Sequence, residues 1–212
     1  MKKHKPADRI QDIQYFGEYG GVNPSIADSS TFTYMAGKTM EMVFGGEREG
    51  CYLYSRHMNP STGYLAEAIA QMENTEAAHV SASGMGSISS TILQICKSGD
   101  HIISSRTIYG GTYAFMKNFL PKLLIDTSFV DTTNLEAVQA AITKNTKIIY
   151  CETVSNPLLE VSDIKKLAEI AKQNNLKLVV DNTFTPLVFS PKELGADIVI
   201  HSLTKFIITT MC

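Results

Sequence analysis

The feature that most constrains the fold is an alternation of short apolar strands with helices, which begins near residue 60 and runs to residue 201. The strands are rich in β-branched residues and apolar on both faces, as in a parallel sheet covered by helices on either side. This alternation predicts an α/β domain in three layers. The predicted strands are 77–82, 101–105, 127–130, 147–151, 177–180 and 198–201, and the predicted helices are 61–73, 84–96, 111–120, 134–142 and 161–173.

The first 60 residues differ from this pattern, because they are rich in Gly, Ser, Thr, Pro and aromatic residues and show little periodicity. We interpret 1–60 as an arm with a short helix near 7–16, and 61–212 as the α/β domain. The arm carries apolar side chains that need a surface to cover, either on its own domain or on a neighbouring subunit. They are Phe32, Tyr34, Met35, Met40, Met42 and Phe44.

Composition excludes several classes of partner. The hydrophobic fraction of 44% and the charged fraction of 19% are those of a globular protein. The net charge of −2, without a basic tract, argues against nucleic acid and anionic membrane surfaces. The sequence predicts neither a signal peptide nor a membrane span. The four scattered cysteines fit reduced thiols in a cytoplasm, and no metal site is expected.

Ligands of parallel α/β sheets bind beyond the carboxyl ends of the strands, so the residues that follow each strand are the candidate site. Strand 77–82 leads into Ser83, Gly84 and Met85 at the start of a helix. Glycine lets the backbone approach a ligand closely, and the free N–H groups of a helix start favour a phosphate. The alternative interpretation of this motif is that its small residues serve only the packing of the helix against the sheet.

Two further strand ends carry polar groups. Asp181 follows four largely apolar residues, and a buried carboxylate is costly without a cation or several donors. It is either a turn or cap residue, or a partner for a protonated ring nitrogen. Ser202 and Thr204 lie two apart after strand 198–201, so in an extended segment their hydroxyls point the same way. Lys205 follows directly.

Together these strand ends supply a phosphate cradle, a carboxylate for a ring nitrogen and an amine for a Schiff base. Pyridoxal 5′-phosphate (PLP) requires this set of groups, including the lysine and an Asp partner for the pyridinium nitrogen. We therefore predict PLP as the cofactor.

Several motifs, in order along nearly the whole chain, resemble those of the Cys/Met-metabolism (transsulfuration) PLP-dependent enzymes, in particular the methionine γ-lyases, cystathionine γ-lyases and γ-synthases. They are Tyr52-Leu-Tyr-Ser-Arg56, Asn59-Pro60, Ser83-Gly84-Met85, Tyr109-Gly110-Gly111, Ser155-Asn156-Pro157, Asp181-Asn182-Thr183 and His201-Ser-Leu-Thr-Lys205. The resemblance implies the aspartate aminotransferase-like fold (fold type I). It also implies that the C-terminal domain of this family is missing from the 212 residues.

The resemblance also implies a role for each candidate residue. Lys205 would bond the cofactor and move protons, Asp181 would pair with the ring nitrogen, and Tyr109 would stack on the ring and act as acid or base toward the leaving sulfur. Asn156 would bind the phenolic oxygen of the cofactor. The phosphate would be held by Ser83, Gly84, Met85, Ser202 and Thr204 of the same subunit, and by Tyr54 and Arg56 of the neighbouring subunit in a homo-oligomer, a dimer of dimers.

The implied activity is γ-elimination on a sulfur amino acid, methionine or cystathionine, which gives 2-oxobutanoate, ammonia and a thiol. At Gly111 the chain departs from the well-known methionine γ-lyases, which carry a cysteine there. The alternative within the family is γ-replacement by a cystathionine γ-synthase or an O-acylhomoserine sulfhydrylase. A third hypothesis, motivated by the ending at Cys212, is a truncated fragment that binds the cofactor without catalysis.

Overall fold

In a computed structural model, which describes residues 5–11, 20–47 and 50–209, five parallel strands form one sheet. The strands are β1 (His101–Ser105), β2 (Asp126–Val130), β3 (Thr146–Glu152), β4 (Lys177–Asp181) and β5 (Ile198–Ile200). Their order across the sheet is β2-β1-β3-β4-β5, and every neighbouring pair is parallel. All five strands therefore end at the same edge, and the predicted α/β fold is confirmed.

Both faces of the sheet are buried, because successive side chains of a strand point to opposite sides. Ile102 and Tyr150 belong to one hydrophobic core, while Ile103 and Ile149 belong to the other. The first core packs against α4 (Gly84–Ile95), and the second packs against α6 (Leu135–Ala140) and α7 (Ile164–Gln173). The three layers are those that the apolar strands predict.

The helix starts carry side-chain caps. Asn59 accepts a hydrogen bond from Ser61 N at 2.9 Å at the start of α3 (Pro60–Glu73). Asp163 accepts one from Lys166 N at 3.1 Å, so α7 begins after this residue and not at 161 as predicted. The remaining α-helices of the described residues are α1 (Pro6–Gln11), α2 (Gly37–Phe44), α5 (Gly110–Ala114) and α8 (Phe206–Thr209), and Pro191–Leu194 forms a 3₁₀ helix.

One predicted element is wrong, and a second is wrong in part. Residues 77–82 form no strand, because a strand needs a hydrogen-bonded neighbour and a cavity of about 590 Å³ lies between this segment and β5. The predicted helix 111–120 is α-helical only in α5, and continues as a π turn (Phe115–Phe119) and a 3₁₀ turn (Leu120–Leu123). Pro121 contributes no N–H group to an α-helical ladder there.

The arm includes α2 and one isolated bridge, between Thr31 and Tyr54. Of the helix predicted near 7–16, the structure has α1, and residues 12–19 lie outside the described part. Large apolar side chains of the arm remain exposed, among them Met35 and Phe44. No helix among the described residues is long and apolar enough to cross a membrane.

Candidate active site

A cavity of about 510 Å³ lies at the carboxyl edge of the sheet. Its volume is within the range of small-molecule sites, ~300–1,000 Å³. Nine of the residues predicted from the sequence line it: Ser83, Gly84, Met85, Tyr109, Asn156, Asp181, Ser202, Thr204 and Lys205. The fold thus gathers into one place groups that are spread over more than 120 residues of sequence, and the part each plays stays a prediction.

One wall of the cavity is the N-terminus of α4. The Ser83 side chain accepts a hydrogen bond from Gly86 N at 2.9 Å, which caps the helix. A Cβ atom added to Gly84 would lie 2.9 Å from Cβ of Ser202, so only glycine permits this approach of the two segments. A helix start lined by small residues and hydroxyls fits a phosphate.

The cavity is also lined by Asp181, the last residue of β4, which is 8% exposed. Tyr150 donates its hydroxyl to Oδ2 at 3.4 Å, and the Thr183 backbone N–H donates to Oδ1 at 2.9 Å. Burial raises the pKa of Asp181, and the Thr183 hydrogen bonds oppose that rise. A buried carboxylate of this kind is stabilised by a cation, and a protonated ring nitrogen provides one.

A second buried acid, Glu152, was not predicted. It ends β3 beside Asp181 in the ladder, and its Oε1 accepts a hydrogen bond from Tyr109 N at 2.6 Å. Burial, reinforced by the charge of Asp181, raises the pKa of Glu152 to about 7. Glu152 therefore holds the backbone of Tyr109 at the cavity. The strand-end rule, applied to β3 as it was to β4, identifies this residue.

The lysine segment is a turn and not the extended chain that was predicted, since Lys205 N donates to Ser202 O at 3.4 Å. The two hydroxyls nevertheless meet, because Oγ of Ser202 and Oγ1 of Thr204 are 2.9 Å apart. Ser202 N donates to Oγ1 of Thr183 at 2.7 Å. This contact fastens the turn to the segment that follows Asp181.

Tyr109 stands at the mouth of the cavity, with 53% of its surface exposed. A Cβ atom at position 111 would lie 2.6 Å from Cε1 of Tyr109 and 3.3 Å from Sδ of Met85. The ring thus occupies the space that a side chain at position 111 would need. Glycine at this position is required for the observed placement of Tyr109.

Tyr54 and Arg56 are the two predicted residues that do not line the cavity. Cζ of Arg56 lies 5.2 Å from the centroid of the Tyr54 ring, a cation–π distance. Tyr54 is 38% exposed. The structure of one subunit therefore places this pair together but apart from the other candidate residues.

The residues present fit PLP: Gly84 opens a cradle at a helix start, Asp181 is a buried acid suited to a cation, and Lys205 lies on the same cavity. Among solved structures, the fold is similar to an O-acetylhomoserine (thiol)-lyase of Campylobacter jejuni determined with N′-pyridoxyl-lysine-5′-monophosphate, at a TM-score of 0.89 and 28% identity. The match covers 96% of this chain and 51% of that one.

Two curated relatives are similar to this chain in sequence. A methionine gamma-lyase of Arabidopsis thaliana is 48% identical over 95% of this chain and 47% of its own length, and a cystathionine gamma-lyase of Bacillus subtilis is 44% identical over 80% and 44%. The chain thus spans about half the length of these relatives. The family model for Cys/Met metabolism PLP-dependent enzymes matches residues 10–209. This chain belongs to that family.

Proposed function

We propose that the protein catalyses PLP-dependent γ-elimination on a sulfur amino acid, methionine or cystathionine, which releases 2-oxobutanoate, ammonia and a thiol. The observation that carries this proposal is that Lys205, Asp181 and Tyr109 line one cavity at the edge of the sheet. These are an amine, a buried acid and a phenol, the groups that bond the cofactor, support its ring and protonate a leaving sulfur.

Each side chain has a task in this scheme. When bound, PLP supplies an electron sink for bonds at the α-carbon of the substrate. Ser83, Gly84 and Met85 bind the phosphate together with Ser202 and Thr204, and Asp181 keeps a proton on the ring nitrogen. Lys205 takes the proton from the α-carbon and moves the protons that activate the β-carbon, Tyr109 donates a proton to the sulfur that leaves, and water releases 2-oxobutanoate and ammonia.

We extend the proposal to the assembly. The arm, residues 1–60, covers a neighbouring subunit of a homo-oligomer, a dimer of dimers, while 61–212 forms the cofactor-binding domain. Two observations support this: apolar arm residues such as Met35 are exposed, and Tyr54 and Arg56 lie outside the cavity of their own subunit. Arg56, a planar double donor, suits the phosphate bound by the neighbour.

The alternative reaction is γ-replacement, in which a nucleophile adds to an activated homoserine. The name of the Campylobacter jejuni neighbour favours this alternative, since it denotes a thiol-lyase of O-acetylhomoserine. The two reactions share Lys205, Asp181 and Tyr109, so they differ in what enters the cavity after the γ-substituent leaves.

Product analysis tests the proposal. The chain is incubated with PLP and, in separate reactions, with methionine, cystathionine, or O-acetylhomoserine plus sulfide. We expect 2-oxobutanoate and ammonia from the first two. Homocysteine from the third reaction alone favours replacement. Covalent capture of PLP without any product favours the fragment that binds without catalysis.

A further inference from the structure

A buried polar cluster lies behind the candidate active site. It joins Glu73, the last residue of α3, to His201, which directly follows β5, and to Asn182, which directly follows Asp181. Oε1 of Glu73 lies 2.6 Å from Nε2 of His201 and accepts a hydrogen bond from Nδ2 of Asn182 at 3.1 Å. The side chains of His201 and Glu73 are only 3% and 2% exposed.

A carboxylate and an imidazole at this distance share a proton or form an ion pair, because an isolated charge in such a place is costly. The other atoms of the pair, Oε2 of Glu73 and Nδ1 of His201, are buried and have no hydrogen-bond partner in the described part of the chain. The pair thus depends on its mutual contact and on Asn182.

The cluster reaches both of the segments that carry the site. Asn182 N donates to Ile200 O at 2.8 Å, which ties the end of β4 to the end of β5. His201 is the residue before Ser202, whose N–H donates to Thr183. One carboxylate on α3 thereby fixes the chain on either side of the cavity, at the acid and at the lysine turn.

The cluster also acts through charge. Burial is the main influence on the carboxyl of Asp181 and raises its pKa, whereas the charge of His201 lowers it. The groups that interact with Asp181 through charge or hydrogen bonds are Tyr150, Cys151 and Glu152 of β3, Thr183 and His201, and Lys205 lines the same cavity. Glu152 opposes the ionised form of Asp181, and a protonated His201 favours it.

We propose that Glu73 and His201 are positioning residues, whose buried pair orients the ends of β4 and β5 and keeps Asp181 ionised for the ring nitrogen of the cofactor. Glu73 holds His201 in place through the 2.6 Å contact, and a positive charge on His201 stabilises the Asp181 carboxylate. This inference rests on the proposed PLP site.

The test compares PLP affinity at two pH values in Glu73→Gln and His201→Gln. Both changes keep a side chain able to hydrogen-bond but remove the ion pair. Because Asp181 is less readily ionised in the variants, we expect the PLP dissociation constant to rise about tenfold near pH 6 and less than about threefold near pH 8.5. His101→Gln is the control, a buried histidine at the start of β1 bonded to Thr146 and Ser128.

The possible results distinguish a failure of this inference from a failure of the proposed function. An equal loss of affinity at both pH values, or no loss, overturns this inference, since a purely structural role does not depend on the charge of Asp181. A wild-type chain that binds no PLP contradicts the proposed function instead.

If the wild-type chain binds no PLP, the inference is tested by the carboxyl ¹³C chemical shifts of labelled aspartate, in which the Asp181 signal is assigned with Asp181→Asn. His201→Gln must move the titration of Asp181 to higher pH, and an unchanged titration overturns it. Melting curves of each variant show whether the fold survives.

Discussion

The two sides of the candidate active site are held in different ways. On the strand side, Asp181 and Glu152 are each 8% exposed and lie opposite each other in the β3–β4 ladder. On the turn side, Tyr109 is 53% exposed, and Lys205 lies in a turn outside the sheet. The strand side is built by the sheet itself, whereas the turn side depends on a few contacts such as that of Ser202 with Thr183.

Stability and chemistry are therefore divided between the two sides of the site. The sheet fixes the buried acids and, in doing so, makes them costly to ionise. The turn side exposes the phenol of Tyr109 and the amine of Lys205 to solvent at the cavity. Changes on the turn side should therefore affect chemistry most, and changes on the strand side should also affect folding.

The largest effect is expected for Lys205→Ala on the turn side. Loss of the amine removes the bond to the cofactor and the base at the α-carbon, so turnover should fall by about 1,000-fold or more. Reduction with borohydride followed by peptide mass spectrometry should find PLP on Lys205 in the wild type. Lys144→Ala, an exposed residue before β3, should remain labelled and active; a labelled Lys205→Ala protein would contradict the assignment.

Asp181→Asn tests the strand side. A charge-assisted hydrogen bond contributes about 1.5–3 kcal/mol, so PLP affinity should fall by roughly 10- to 100-fold. The protein without cofactor should become more stable, because burial raises the pKa of Asp181 and thus opposes its ionised form. Cofactor titration and thermal melting measure the two effects. Asp163→Asn, which keeps a cap at α7, is the control. If Asp181→Asn changes PLP affinity and thermal stability in the same direction, the assignment of Asp181 to the ring nitrogen is contradicted.

Glu152→Gln tests the cost of burying a carboxylate on the strand side without removing a proposed catalytic group. The pKa of Glu152 is raised to about 7 from an ordinary value of 4.5, so the folded protein binds more protons than the unfolded chain between these limits. Stability therefore falls as pH rises through this window and stays low above it. Relative to Glu152→Gln, the wild type without cofactor should lose up to about 3 kcal/mol between about pH 4.5 and 8. The free energy of unfolding is measured from denaturation curves at each pH. If it depends on pH in the same way in both proteins, this prediction is wrong.

The smallest effect is expected for Gly111→Ala, which moves Tyr109 without removing it. The added Cβ would meet the Tyr109 ring at 2.6 Å, whereas nothing lies within 4 Å of a Cβ at Gly110. Since small displacements of a reacting group are costly, turnover should fall about tenfold in Gly111→Ala and less than about twofold in Gly110→Ala. Equal rates in the two variants would show that the position of Tyr109 is unimportant.

Much of the fold was predictable because β-branched strands and amphipathic helices leave periodic patterns. The strand predicted at 177–180 differs from β4 by one residue. Residues 77–82 have the composition of a strand but no pairing partner in the described part of the chain, and pairing is a property of the whole fold that a local pattern does not contain. The π turn after Ala114 has no local signal in the sequence.

The candidate site was predictable where a polar residue follows an apolar strand, as at Asp181 and Lys205. Glu152 follows the same rule and was overlooked. The contact of Glu73 with His201 could not have been inferred, because 128 residues separate them and each is an ordinary residue in its own segment. Only the folded chain brings α3 behind the end of β5.

The cavity between 77–82 and β5 has a consequence for hydrogen exchange. β3 and β4 have a strand on each side, whereas β5 is paired on one side only and 77–82 has no ladder partner among the described residues. Backbone amides of 77–82 should therefore exchange with deuterium much sooner than those of β3 and β4. The cradle at Ser83 follows directly on this segment, so phosphate held there should slow exchange in residues that it does not touch.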